Sequence, residues 1–322
     1  MRLSLSCSAA GLLFHEPWWL AAVTGGHYQE AIVEQGGNIV GRLPYVTSKR
    51  GPFRIARMPR FTHVLGPWVY TGMGKSQTRL INRLSITRAL IDKLPRLAFF
   101  EQHLDPSEDD GFASADGLAF QDRGFSVSTQ YTFQINCAVS AEALWEAMHG
   151  KTRNIVRRAQ EQYVVGEVED GQIFADTYTR NLYTKGQRNR IDLEYFPGLF
   201  AQCRAHACGE IVAAFSSAAV PVAMIFLVWG ARTMYYVLST RTPDPSHHGA
   251  VNLLIWEAMQ RARGRGLVFD LDGVYNSGSA HFLGRFGGRI RTRLAVRRGN
   301  LLFSTLQRAK LRYSNNQSQI YT

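Results

Sequence analysis

Three apolar runs, EIVAAFSS, VAMIFLVWG and TMYYVLST, follow one another between Glu210 and Thr240 with only short turns between them. Runs of this length, rich in β-branched and aromatic residues, read as strands, and strands without polar alternation are covered on both faces. They form a meander inside a sheet. The loop TPDPSHHG leads from it into a segment whose Val251, Leu254, Ile255, Ala258 and Met259 recur at helical spacing, and LVFDLDG is the buried strand that follows. Strands and helices alternating in this way predict a mixed α/β fold.

Glu30 to Val46 reads as a hairpin around Gly36, Gly37 and Asn38, residues that accept the positive φ of a tight turn. Gln77 to Leu94 is spaced as a helix that Pro95 ends, and LAFFEQHL is the next strand. Pro106 to Gly117 reads as an acidic loop, SVSTQYTFQI as a strand, and KTRNIVRRAQEQ as the second of two short helices, the first capped by Ser140. Gln172 to Gln187 and Leu199 to Ala207 are predicted helices. The chain closes with a short helix around SAHFLGRF and a strand in which Ile290, Thr292, Leu294 and Val296 alternate with Arg291, Arg293 and Arg297. Hairpin, helix and strand recur in both halves, a weak sign of duplication, and the expected division is 1–138 and 139–322.

The 322 residues hold 37 Lys and Arg against 25 Asp and Glu, a formal charge of +12 that favours anionic partners: cofactor phosphates, RNA or an anionic membrane surface. Four cysteines are too few for a disulfide framework in so long a chain, so a cytoplasmic protein is expected. The opening MRLSLSCSAAGLLFH is followed at once by His15, Glu16 and Trp18 and does not read as a signal peptide; disorder is expected only in the polar tail from Ser314. No run is apolar for long enough to span a bilayer.

FHEPWWLAAV with Trp18 and Trp19, GRLPY with Leu43 and Pro44, KTRNIVRRAQ, SHHGAVNLLIWEAMQRARGRG, FDLDGV and HFLGRFGG occur in an order that resembles the FemAB-like and BioF2-like branch of the GNAT acyltransferase superfamily. The resemblance covers most of the chain. It implies two GNAT-like lobes, each a mixed sheet flanked by helices, with the donor site in the C-terminal lobe and the acceptor between lobes. The implied activity is direct transfer of an acyl group, preferentially acetyl, from acyl-CoA to the amine of a small molecule, an amino sugar or a cell-envelope precursor, so that groups other than aminoacyl groups are moved. Two alternatives stay open: a Fem-like transferase that uses aminoacyl-tRNA, and a binding module without catalysis. Leu283 stands where this branch often has Lys, which leaves Arg285 as the neighbouring cation.

In GNAT proteins the donor phosphates sit where a loop meets the helix after the meander, because unpaired amides and the helix dipole attract anions. The matching residues here are His247, His248, Gly249, Ala250 and Asn252, with Gly249 and Ala250 small enough to admit a phosphate. Acyl transfer also needs a base and donors to the oxyanion. Asp270 and Asp272, two apart on one strand, are expected to share a face, with Asp272 as base and Asp270 against the acceptor; a strand-end Asp that holds the Gly273 turn is the alternative. His248 and Tyr275 complete the catalytic candidates, and Tyr236 and His281 are further proton donors. Arg285, Lys151 and Arg153 are the candidate substrate-binding cations. No metal is expected: Cys203, His206 and Cys208 lack a second ligand pair, and TGMGKS lacks the earlier glycine of a phosphate loop, where Val69 stands.

Overall fold

The computed structural model describes residues 12–106, 112–186, 191–244, 248–273, 277–303 and 305. His247, Tyr275 and the tail from Ser314 lie outside them. The chain forms two compact units: one from the chain up to Gly26, Arg60–His63 and Gln130–Thr292, the other from His27–Pro59, Val64–Thr129 and the chain from Arg293. The division is thus not the single cut between 138 and 139, because the first helix and a four-residue excursion at Arg60 pack with the later part of the chain.

The first unit opens with a 3-10 turn (Leu13–His15) and α1 (Pro17–Thr24), then contains most of β6 (Ser126–Asn136), α4 (Ala141–Ala147), α5 (Gly150–Gln162), β7 (Val164–Val168), α6 (Gly171–Thr184) and α7 (Phe196–Ala205). The meander follows as β8 (Gly209–Phe215), β9 (Pro221–Trp229) and β10 (Thr233–Arg241), then α8 (Ala250–Gly264), β11 (Val268–Gly273) and α9 (Ser277–Gly284). Its strands run in the order β6-β11-β10-β9-β8-β7, with β10 and β11 parallel and every other pair antiparallel. The continuous apolar sequence of the meander is explained by cover on both faces. Val212, Ala214, Ile225 and Leu227 join one core with Leu254, Ala258 and Met259 of α8, while Phe226 meets Phe196 and Phe200 of α7 at ring distances of 5.0 and 6.1 Å. Each of these large side chains contributes about 1.5–3 kcal/mol by leaving water. The short edge strand β7 is not evident from the sequence.

The second unit holds β1 (Gln29–Gln35), β2 (Asn38–Arg50), β3 (Phe53–Arg57), β4 (Trp68–Val69), α2 (Ser76–Asp92), β5 (Phe99–His103) and α3 (Phe112–Asp122), together with most of β12 (Arg289–Gly299). Here the order is β1-β2-β3-β5-β12 with β4 on β2, and only β3 and β5 are parallel. Gly36 and Gly37 at φ of +57° and +77° make the expected hairpin turn.

Two expectations are corrected here. The acidic stretch to Gly117 is not all loop: α3 starts at Phe112, and its buried Asp116 accepts from Arg83 Nη2 at 2.8 Å and from Thr87 at 2.7 Å. An Asp read as part of an acidic loop is instead the partner of a buried Arg. In β12 the alternation runs otherwise than expected, for Ile290 is 57% exposed while Arg293 and Ala295 are buried. Among the described residues no helix is long and apolar enough to cross a membrane.

Candidate active site

Helix α8 begins after Gly249, whose backbone lies at φ +90° and ψ −11°. No side chain among the described residues caps this end, so it is ready to attract an anion. In front of it lies a cleft of about 560 Å³, bounded by α6 and β10 and closed on one side by Phe282 of α9. Val251 and Asn252 line it from α8, with His248 and Gly249 from the residues just before it. Tyr178 and Asn181 line it from α6, with Lys185 just past its end, and Tyr236, Ser239 and Arg241 from β10. Its described lining holds two full cations, Lys185 and Arg241, and no carboxylate. The Lys185 ammonium donates to the Arg241 carbonyl at 3.0 Å, and burial, then the Arg241 charge, holds its pKa below the usual lysine value.

Tyr236 connects the cleft to the end of β11. Burial pushes its hydroxyl up to about 12, with the Asp272 carboxylate adding to the rise and a hydrogen bond with Ser239 opposing it. The Asp272 carboxylate, 21% exposed, lies 3.5 Å from Nδ1 of His63. His63 arrives from the Arg60–His63 excursion and sits against Phe14 and Tyr235, each ring 5.9 Å away.

Asp270 is 2% exposed. It accepts from Gln134 Nε2 at 2.9 Å, from the Asp272 amide at 2.9 Å and from the Thr132 hydroxyl. Burial pushes its carboxyl up and the Gln134 and Thr132 bonds oppose the shift. The two aspartates do not share a face in the expected way. The β11–β6 register shifts between Asp270 and Gly273, and Asp272 takes a φ of +65°, which breaks the two-residue alternation of a strand. Asp270 therefore ties the strand end together, and Asp272 alone is partly open.

Of the residues expected at the donor site, His248, Gly249 and Asn252 line the cleft, whereas Ala250 is 2% exposed and does not. A Cβ on Gly249 would stand 2.9 Å from Cγ2 of Ile155, so α5 and the φ of +90° each favour glycine at this position. Lys151, Arg153 and Arg285 form a separate group at the start of α5, where the Arg285 carbonyl accepts from the His149 amide at 2.9 Å; none lines the cleft. Leu283 is 7% exposed and belongs to the core. His206 stacks on Trp18 at 4.4 Å, and among the described residues no three His, Cys, Asp or Glu are grouped to hold a metal. Sequence reasoning missed His63, Thr132, Gln134, Lys185 and Arg241. Only Lys185 had a signal, as part of the basic phrase TKGQRNR.

Residues 150–281 match the family model described as an acetyltransferase (GNAT) domain. No curated protein sequence matches the chain. Among solved structures, that of FemX is 12% identical with a TM-score of 0.65, covering 88% of this chain and 91% of the other. The C-terminal domain of a putative lysylphosphatidylglycerol synthetase from Agrobacterium fabrum is 14% identical with a TM-score of 0.55, covering 91% of each chain. The L-PGS of Bacillus licheniformis is 13% identical with a TM-score of 0.54, again covering 91% of each. The GNAT fold and the resemblance to the FemAB-like branch are supported together. The expectation that groups other than aminoacyl groups are moved is overturned by the same set. A lysylphosphatidylglycerol synthetase is named for a product that carries an aminoacyl group, so the fold does not confine the chemistry to other acyl groups.

Proposed function

We propose that this chain, which carries a GNAT domain within a FemX-like fold, transfers an aminoacyl group to an amine, with the donor held in the cleft before α8. The observation that carries the reading is the charge of that cleft. Lys185, Arg241 and the uncapped head of α8 face it, with no carboxylate in its described lining. Such a wall suits a donor that presents phosphodiesters beside its reactive ester, as charged tRNA does, and the overall charge of +12 favours the same polyanion. Charged tRNA is a cytoplasmic reagent, so the reaction belongs to that compartment. The acceptor is the amine of a cell-envelope precursor or of a smaller molecule.

In the transfer the acceptor nitrogen attacks the ester carbonyl and forms the amide C–N bond. The ester C–O bond breaks, and its electron pair leaves on the ribose oxygen. Asp272 takes the proton released by the attacking nitrogen, and His63 at 3.5 Å orients the carboxylate. Tyr236, which keeps its proton because burial has raised its pKa, donates to the developing oxyanion or to the departing oxygen. Asp270 does not touch substrate and positions Asp272 through the hydrogen bond that its carboxylate accepts from the Asp272 backbone amide. Transfer is direct, with no covalent enzyme intermediate. The test is passage of a labelled aminoacyl group from charged tRNA to an amine, with and without ribonuclease, in the wild type and in a Lys185→Glu, Arg241→Glu variant.

A further inference from the structure

From Gln35 to Ile91 the sequence holds no Asp or Glu, and from Gly273 to Thr322 it again holds none. Parts of both acid-free stretches meet in the second unit, at the β2–β3 hairpin and the chain that leaves β12. Lys49 and Arg50 end β2, Arg54 pairs with Lys49 across the hairpin, and all three are exposed. The Ala98 amide donates to the Arg54 carbonyl at 2.8 Å and the Asn300 amide to the Ala98 carbonyl at 2.9 Å, which fixes residue 300 beside the hairpin.

Phe303 is the anchor of the next turn. It is 4% exposed, with its ring 5.4 Å from Phe53 and 5.6 Å from Phe99. The two residues before it are held in the opposite condition: Leu301 is 87% exposed and Leu302 is 62% exposed. Water gains nothing from two ordered leucines, so their exposure points to a partner that takes aliphatic side chains. The cations are crowded as well. The Arg57 guanidinium is held below its ordinary value by burial first, then by the charges of Arg50 and Arg297. Glu101, the carboxylate that acts on it, already accepts from Arg297 at 2.6 Å.

We propose that this edge, with Lys49, Arg50 and Arg54 beside Leu301 and Leu302, docks on the surface of an anionic lipid bilayer. The cations sit at the level of the anionic headgroups and the leucines enter the acyl boundary beneath them. RNA fits the surface less well, because single-stranded nucleic acid rewards cations and exposed aromatic faces but gives aliphatic leucines nothing to enter. The aromatic rings here are spent on packing Phe303.

The experiment is sedimentation of the full chain with vesicles of phosphatidylcholine alone and of phosphatidylcholine mixed with phosphatidylglycerol. The wild type is expected to pellet with the mixed vesicles and stay in solution with the neutral ones, and salt is expected to weaken the binding. A Lys49→Glu, Arg50→Glu, Arg54→Glu variant is expected to lose about a hundredfold in partition, at roughly fivefold per cation removed from the surface. A Leu301→Ser, Leu302→Ser variant is expected to bind at least about tenfold more weakly. Unchanged thermal melting of both variants, whose altered side chains are all exposed, separates loss of docking from loss of fold. Equal pelleting with both vesicle types, no pelleting of the wild type, or variants that partition like the wild type overturn the proposal. So does a hairpin variant that has lost binding to single-stranded RNA but keeps its binding to vesicles.

Discussion

Asp272 holds a carboxylate oxygen 3.5 Å from Nδ1 of His63 while its own backbone sits at a φ of +65°. A non-glycine residue in that region costs about 1–2 kcal/mol, and the Thr132 hydroxyl, 2.9 Å from the Asp272 carbonyl, helps to hold it there. Strain of this kind, held at the open end of β11, is consistent with the base role proposed for Asp272.

Replacing Asp272 with Asn removes the base but keeps a side chain that tolerates the left-handed region. Single-turnover aminoacyl transfer is expected to slow by about a hundredfold or more, with KM for the donor nearly unchanged. Asp272→Gly is expected to be equally slow while melting at or above the wild-type temperature, since glycine relieves the backbone. A variant that keeps the wild-type rate would remove Asp272 from the chemistry.

Gly249 is held small by α5. Gly249→Ala brings a Cβ to 2.9 Å from Ile155 Cγ2 at a φ of +90°, and is expected to destabilise the protein by about 1–3 kcal/mol in denaturant unfolding. Combined with Ile155→Ala, the steric part is expected to vanish and the backbone part, about 1 kcal/mol, to remain. Strict additivity of the two changes would show that the contact is not felt.

Glu101 lies within a half-buried cluster with His103 and Arg297. The His103 ring, 3.8 Å away, and then the Arg297 hydrogen bond hold its carboxyl at about 2, below the usual carboxylate range. A carboxyl depressed on folding adds stability that is fully present above its unfolded pKa, roughly 4.3, and is lost as pH falls toward the folded value. Glu101→Gln is therefore expected to destabilise the protein near neutrality, by about 1 kcal/mol once solvent screening of the half-exposed cluster is allowed for, and progressively less on acidification. Urea midpoints measured for both proteins as pH is lowered check this; a gap that widens with acid would contradict it.

The meander, α8 and β11 were legible because their apolar spacing is local and both faces of the meander are covered. The head of α8 was legible for the same reason, yet the meaning of Gly249 was not, since Ile155 reaches it from a helix about ninety residues earlier. That Asp270 is tied inside the strand end while Asp272 stays partly open follows from one positive φ and a register shift against β6, neither of which a two-residue alternation contains. His63 is more than two hundred residues from its partner and carries no periodic signal. Lys185 stands in a basic phrase and Arg241 carries no signal, and a chain with 37 basic residues does not mark which of them line a cleft.

In the proposed function the cleft of Lys185, Arg241 and the α8 head receives an aminoacyl donor. The direct measurement is transfer of a labelled aminoacyl group from charged tRNA to an added amine by the purified full chain. Transfer that ribonuclease abolishes, with KM for the donor raised about tenfold or more in the Lys185→Glu, Arg241→Glu variant, is the predicted result. Absence of aminoacyl transfer to any amine, beside turnover of acetyl-CoA by the same preparation, would contradict it.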